Sequence, residues 1–112
     1  MRSRHERLHH DVPLDGEHTV ELARVAGASV EHILTGTIDT PVDYCAEVDE
    51  WLLVVAGHAT LEIEAAQVEL GPQDWMLIPA GTHHRLLDVA PGTSWITVTG
   101  PSDTLSPFSS AR

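Results

Sequence analysis

Residues 43–84, DYCAEVDEWLLVVAGHATLEIEAAQVELGPQDWMLIPAGTHH, hold a chain of short alternating segments cut by turn residues. Glu50 to Ala56 is apolar on both sides. Leu52 and Val54 share the phase of Glu50, and Trp51, Leu53 and Val55 take the other, so both faces of this strand should be covered. Gly57-His58 turns the chain, and Thr60 to Glu64 resumes a half-buried pattern with Leu61 and Ile63 inward. A further turn at 65–67 leads to Val68 and Leu70. Gly71-Pro72-Gln73-Asp74 is a strong turn before the apolar run Trp75 to Ile78, which Pro79-Ala80-Gly81 ends. At the two ends of the stretch, a period of two places Asp43 and Cys45 on one face and sets His83 and His84 on opposite faces. Only one of the two histidines can enter the interior.

Working outward, Glu17 to Val25 alternates, with Val20, Leu22 and Arg24 on one face, and a second strand after Ala26-Gly27-Ala28 puts Val30, His32 and Leu34 together. His32, alone on an apolar face, reads as a core histidine with its hydrogen bonds satisfied. Pro91-Gly92 is a turn, and the strand after it opposes Ile96 and Val98 to Trp95, Thr97 and Thr99. About eight short strands at hairpin spacing, with no heptad and no internal repeat, predict one all-β domain, an antiparallel sandwich or barrel of jelly-roll type. Residues 1–16 read as an arm or irregular lead-in, 17–100 as the barrel and 101–112 as an irregular tail.

The formal charge of −11 comes from 17 acids against six arginines, with no lysine. Such a surface repels phosphate backbones and anionic membranes, so neither nucleic acid nor a membrane is an expected partner. An anionic ligand would need a metal or a local cation such as Arg85 to overcome the field. Cys45 is the one cysteine, so no disulfide closes within the chain. The absence of an apolar leader run points to the cytoplasm, and the longest apolar run, Trp51 to Ala56, is far short of the roughly 20 residues of a membrane span.

These segments carry two motifs that resemble those of the cupin superfamily. In the first, G(X)5HXH(X)3-4E(X)6G, Glu50 and Gly57 stand at the required separation, the two histidines fall on Asp43 and Cys45, and Gly36 lies one residue upstream of the expected glycine. In the second, G(X)5PXG(X)2H(X)3N, Pro79, Gly81 and His84 match, with Gln73 in place of the glycine and Asp88 in place of the asparagine. The resemblance covers nearly all of the folded core and implies a cupin-type jelly-roll barrel.

In that family the motif residues hold a divalent metal near the barrel axis. Carried over by position, the ligands would be His84, Glu50, Cys45 and Asp43, donors that suit zinc, iron or manganese. The competing reading sets Asp43 at an exposed strand edge, buries Cys45 as a small apolar residue, and leaves Glu50 and His84 as a hydrogen-bonded pair in the pocket. Two functions follow. One is a metal-dependent enzyme acting on a small organic substrate in the barrel, with Glu50 as general base if no metal is present. The other is a non-catalytic small-molecule or metal-binding sensor that has lost the usual site. The outward strip of Trp51, Leu53 and Val55 needs a cover, which predicts a homodimer, with a fold-back of the N-terminal segment as the alternative.

Overall fold

The structure, a computed structural model, describes residues 3–101; the expected irregular tail lies outside them from residue 102 onward. Among the described residues, nine antiparallel strands follow one another: β1 (Glu17–Val25), β2 (Ala28–Thr35), β3 (Val42–Tyr44), β4 (Glu50–Ala56), β5 (Ala59–Ile63), β6 (Ala66–Leu70), β7 (Trp75–Ile78), β8 (His84–Val89) and β9 (Thr93–Thr99). They form a five-stranded sheet in the order β1-β2-β9-β4-β7 and a four-stranded sheet in the order β3-β8-β5-β6. The two sheets enclose Leu52, Val54, Ala59, Leu61, Leu70, Ile78, Leu86, Val89 and Trp95. This is the all-β, cupin-type jelly roll that the alternation and the motifs imply.

The turns show why the motif positions take the residues they do. Pro79 to Thr82 is a tight turn closed by Thr82 N–H on the Pro79 carbonyl at 3.1 Å, with Gly81 at φ +78° in its third position. Positive φ there is the geometry that favours glycine. Gly71 to Asp74 repeats the device, with Asp74 N–H on the Gly71 carbonyl at 3.0 Å, but Gln73 holds the left-handed position at φ +74°. Gln73 therefore takes the backbone conformation that the motif's glycine would supply. At Gly57, φ is +96°, and a Cβ would come within 2.6 Å of Thr93 Cα. Gly36 has a different reason, since a side chain there would run into the Pro13 carbonyl. The lead-in, not a turn, makes that glycine necessary.

Two expectations change. β1 is an edge strand and lies open to solvent along its length except at half-buried Leu22; its register slips between Glu21 and Ala23, which breaks the simple alternation of Val20, Leu22 and Arg24. His32 is fully buried, but it pairs in register with Ile96 while Ile33 pairs with Trp95. It therefore sits on the outer face of the five-stranded sheet, not in the barrel. Its Nε2 lies 2.8 Å from Ser94 Oγ, while Nδ1 is buried without a partner. Burial, together with His9 and His18 nearby, holds its pKa below the ordinary value. The lead-in passes over this half of the face, with the His9 ring 4.3 Å from that of His18.

The other half of the outer face stays open. Trp51 and Trp75 lie with ring centroids 6.2 Å apart, and Trp75, Leu77 and Val55 are 62%, 55% and 41% exposed. The second face of β4 is thus not fully covered within the described chain.

Gly57→Ala should destabilise the fold by about 2 kcal/mol or more, from the strained φ and the collision with Thr93 together. Gln73→Gly should stabilise it by about 0.5–1 kcal/mol, because relief of left-handed strain outweighs the added freedom of the unfolded chain. Chemical denaturation of the two variants against wild type checks both signs.

Candidate functional site

Glu50 opens β4 and His84 opens β8, on opposite sheets, and the loops before them are stitched together. Asp49 Oδ1 accepts the Ala80 N–H at 2.9 Å, and the Ala46 carbonyl accepts the Gly81 N–H at 2.8 Å. The loop ahead of Glu50 is therefore fixed to the turn ahead of His84. Both side chains enter the barrel, where Glu50 Oε1 and His84 Nε2 face each other at 3.8 Å. That gap is too long for a direct hydrogen bond.

His84 is only 5% exposed, and its Nδ1 lies 3.1 Å from the Thr82 carbonyl. A carbonyl accepts only, so Nδ1 carries a proton towards Thr82, and Nε2 is the ring atom turned towards Glu50. Tyr44, the residue opposite His84 in the β3–β8 ladder, stacks on it with centroids 5.5 Å apart. The Tyr44 hydroxyl donates to Glu17 Oε1 at 2.7 Å. Burial and the Glu17 carboxylate push the Tyr44 pKa up, so it remains a neutral phenol. Desolvation likewise raises Glu50, reinforced by Glu31 and Glu17 and opposed by His84. Apolar Ile33, Leu52, Leu61 and Leu86 complete a cavity of about 70 Å³, with Trp95 and Thr97 on the β9 side.

Of the four residues proposed as metal ligands, the structure brings Glu50 and His84 together and leaves Asp43 and Cys45 outside. The reason is the phase of β3. Val42 and Tyr44 pack against the core, which turns Asp43 outward, where its carboxylate pairs with Arg85 at 3.0 Å and lies 3.6 Å from His83. Cys45 is exposed just beyond the strand, not buried as a small core residue. Among the described residues no three His, Cys, Asp or Glu side chains converge as a metal site would need. The four positions do not fit a shared metal. Arg85 also leaves the list of anion-drawing groups, since it is held on the outer surface by Asp43 and lies 3.9 Å from Glu62. Tyr44 and Glu17 were missed from sequence. The signal for Tyr44 was there, because Asp43 and Cys45 cannot point in together without turning it out; nothing local marked Glu17.

Neither a protein-family model nor a curated protein matches the sequence. Solved structures do. A protein from Ralstonia eutropha JMP134 provisionally assigned as a mannose-6-phosphate isomerase shares 28% identity over 89% of this chain and 100% of its own, with a TM-score of 0.73. A cupin superfamily protein from Desulfitobacterium hafniense matches at TM-score 0.69 and 16% identity, covering 82% of this chain and 84% of its own. KdgF from a Halomonas species matches at 0.67 and 18%, over 81% and 86%. No helix among the described residues is long and apolar enough to cross a membrane.

The Glu50 shift sets a pH dependence. A carboxyl whose folded pKa lies above its unfolded value binds its proton more tightly when folded. Its contribution to stability is full below the ordinary value of 4.5 and is lost as pH rises through the folded pKa. Glu50→Gln should therefore melt at a higher temperature than wild type near neutral pH, and the gain should vanish near pH 4. Thermal melts across this range check the crossover. The chain has the fold of the cupin superfamily, to which the Desulfitobacterium hafniense neighbour belongs.

Proposed function

We propose that the protein binds a small organic molecule in the barrel interior and transfers a proton on it, with Glu50 and His84 as the acid–base pair. The carrying observation is the pair itself, two titratable groups facing each other across 3.8 Å inside walls that are otherwise largely apolar. A carboxyl whose pKa burial raises, beside an imidazole held by a carbonyl on its far side, suits general acid–base work. Tyr44 orients the ring by stacking, and the Thr82 carbonyl fixes its proton. Isomerisation, the activity provisionally assigned to the Ralstonia eutropha protein, belongs to this reaction class. A phosphorylated sugar is a poor fit here, because no Lys or Arg lines the cavity.

A metal would have to be held by Glu50 and His84 with ligands other than Asp43 and Cys45. Non-catalytic binding is the second reading, favoured by that incomplete donor set. The two are separated by incubating the protein in deuterated water with a panel of small hydroxy- and amino-carbonyl compounds and following loss of α-proton signals by NMR. At least one compound should exchange, and Glu50→Gln should slow it by about 10²–10⁴-fold. Binding without exchange across the panel would leave the non-catalytic reading. An equivalent of zinc, iron or manganese kept through dialysis and lost in His84→Ala would replace the metal-free reading.

For the open half of the outer face we propose a second copy of the chain as the cover. Trp51, Leu53, Val55, Trp75 and Leu77 present no charge there, so two molecules of net charge −11 can meet without apposing like charges at the contact. Trp51→Glu should shift the protein towards monomer in sedimentation; an unchanged mass would remove Trp51 from the contact.

A further inference from the structure

Resting on the reading of the barrel as a binding pocket, we infer that its occupant is a small protonated alkylamine whose ammonium group sits between Glu50 and Thr97, with the alkyl part against the leucines.

The charges of the cavity are one-sided. Glu17 and Glu50 line it, His84 is the sole basic side chain among its lining residues, and Glu31 adds its field to Glu50. Arg85, the nearest arginine in sequence, is held on the outer surface by Asp43 at 3.0 Å. Glu17 is already engaged by the Tyr44 hydroxyl at 2.7 Å, whereas the facing His84 lies too far from Glu50 for a hydrogen bond. Glu50 therefore keeps acceptor capacity for something that enters.

Thr97 supplies an observation independent of charge. It is 3% exposed, lines the cavity, and its Oγ1 is buried with no hydrogen-bond partner. Its register partner is Leu52, so it shares the inner face with Glu50 two residues along β4. A buried hydroxyl left unpaired costs about 1–3 kcal/mol, and an entering N–H group would supply its partner.

Size and shape limit the rest of the ligand. The cavity of about 70 Å³ accommodates a short amine of about five non-hydrogen atoms. Leu52, Leu61 and Leu86 offer apolar surface to its chain. The net charge of −11 concentrates cations around the molecule and repels carboxylates and phosphates.

The test uses the full chain, with n-propylammonium chloride, 1-propanol and sodium propionate as probes of nearly equal shape. Each is titrated at matched ionic strength, with heat and the His84 imidazole NMR signals as readouts. Propylammonium should bind saturably and shift His84, propanol should bind at least about tenfold more weakly, and propionate should not bind. Glu50→Gln should weaken propylammonium by about tenfold or more. Thr97→Val, which keeps the shape of the side chain, should weaken it severalfold without lowering the melting temperature. If propanol or propionate shifts His84 as strongly as propylammonium does, the amine assignment falls and the pocket reading stands. If no probe shifts His84, both fall. Tetramethylammonium binding more tightly than propylammonium would remove the role of an N–H donor, and with it Thr97.

Discussion

The pairing of Tyr44 with His84 across the β3–β8 ladder governs what the barrel can hold, because a strand has only two faces and each residue must take one. With Tyr44 turned in and stacked on the imidazole, Asp43 and Cys45 are turned out, and no local adjustment restores them. A one-residue slip of β3 would reverse all three. It would also strip Val42 and Tyr44 from the core and expose the stacked face of His84, so packing selects the register in which the pocket holds a phenol in place of two polar ligands. The polar groups left inside, Glu50 and His84, are then defined by what they lack. Each keeps a free position towards the other, in a space too wide for one hydrogen bond.

The backbone around this pair is held by turns that demand unusual conformations. Both turns flanking β7 place a residue at positive φ, glutamine at 73 and glycine at 81, and the turn with Gly81 fixes His84 relative to Asp49 and hence to Glu50. The hairpins at 26–27 and 64–65 also carry two positive-φ residues each, mostly without glycine. A two-residue connection of this kind matches the twist of its strands, and the fold keeps that match at some cost in backbone strain. Precision at the site thus rests on the rigid turn at 79–82, while the costlier turns lie elsewhere.

The five-stranded sheet divides its outer face between two solutions to one problem. Over β2 the surface is closed, and His32 and Leu34 become as buried as any core residue. Over β4 and β7 nothing in the described chain does so, and two tryptophans remain partly in solvent. The same strand, β4, contributes Glu50 to the inside and Trp51 to this outer strip, so pocket chemistry and surface association are tied to one backbone.

The fold was legible from residues 50–84 because period-two alternation, turn residues and the Pro-x-Gly-x-x-His spacing are all local, and each constrains the chain within a few residues. The same local logic set His83 and His84 on opposite faces and Trp51 opposite Glu50, and the motif resemblance put His84 inside. It did not locate His32, whose apolar neighbours mark burial but cannot say which face is covered. It did not choose between Asp43 and Tyr44, since alternation fixes relative phase and leaves the absolute phase of a three-residue strand undetermined. It gave no sign that Glu17, distant in sequence, would reach the Tyr44 hydroxyl. The amino-acid order therefore determined the elements and which side chains share a face. Only the packing of the two sheets decided which face is the inside, because that depends on the total apolar surface brought together from strands far apart in the chain.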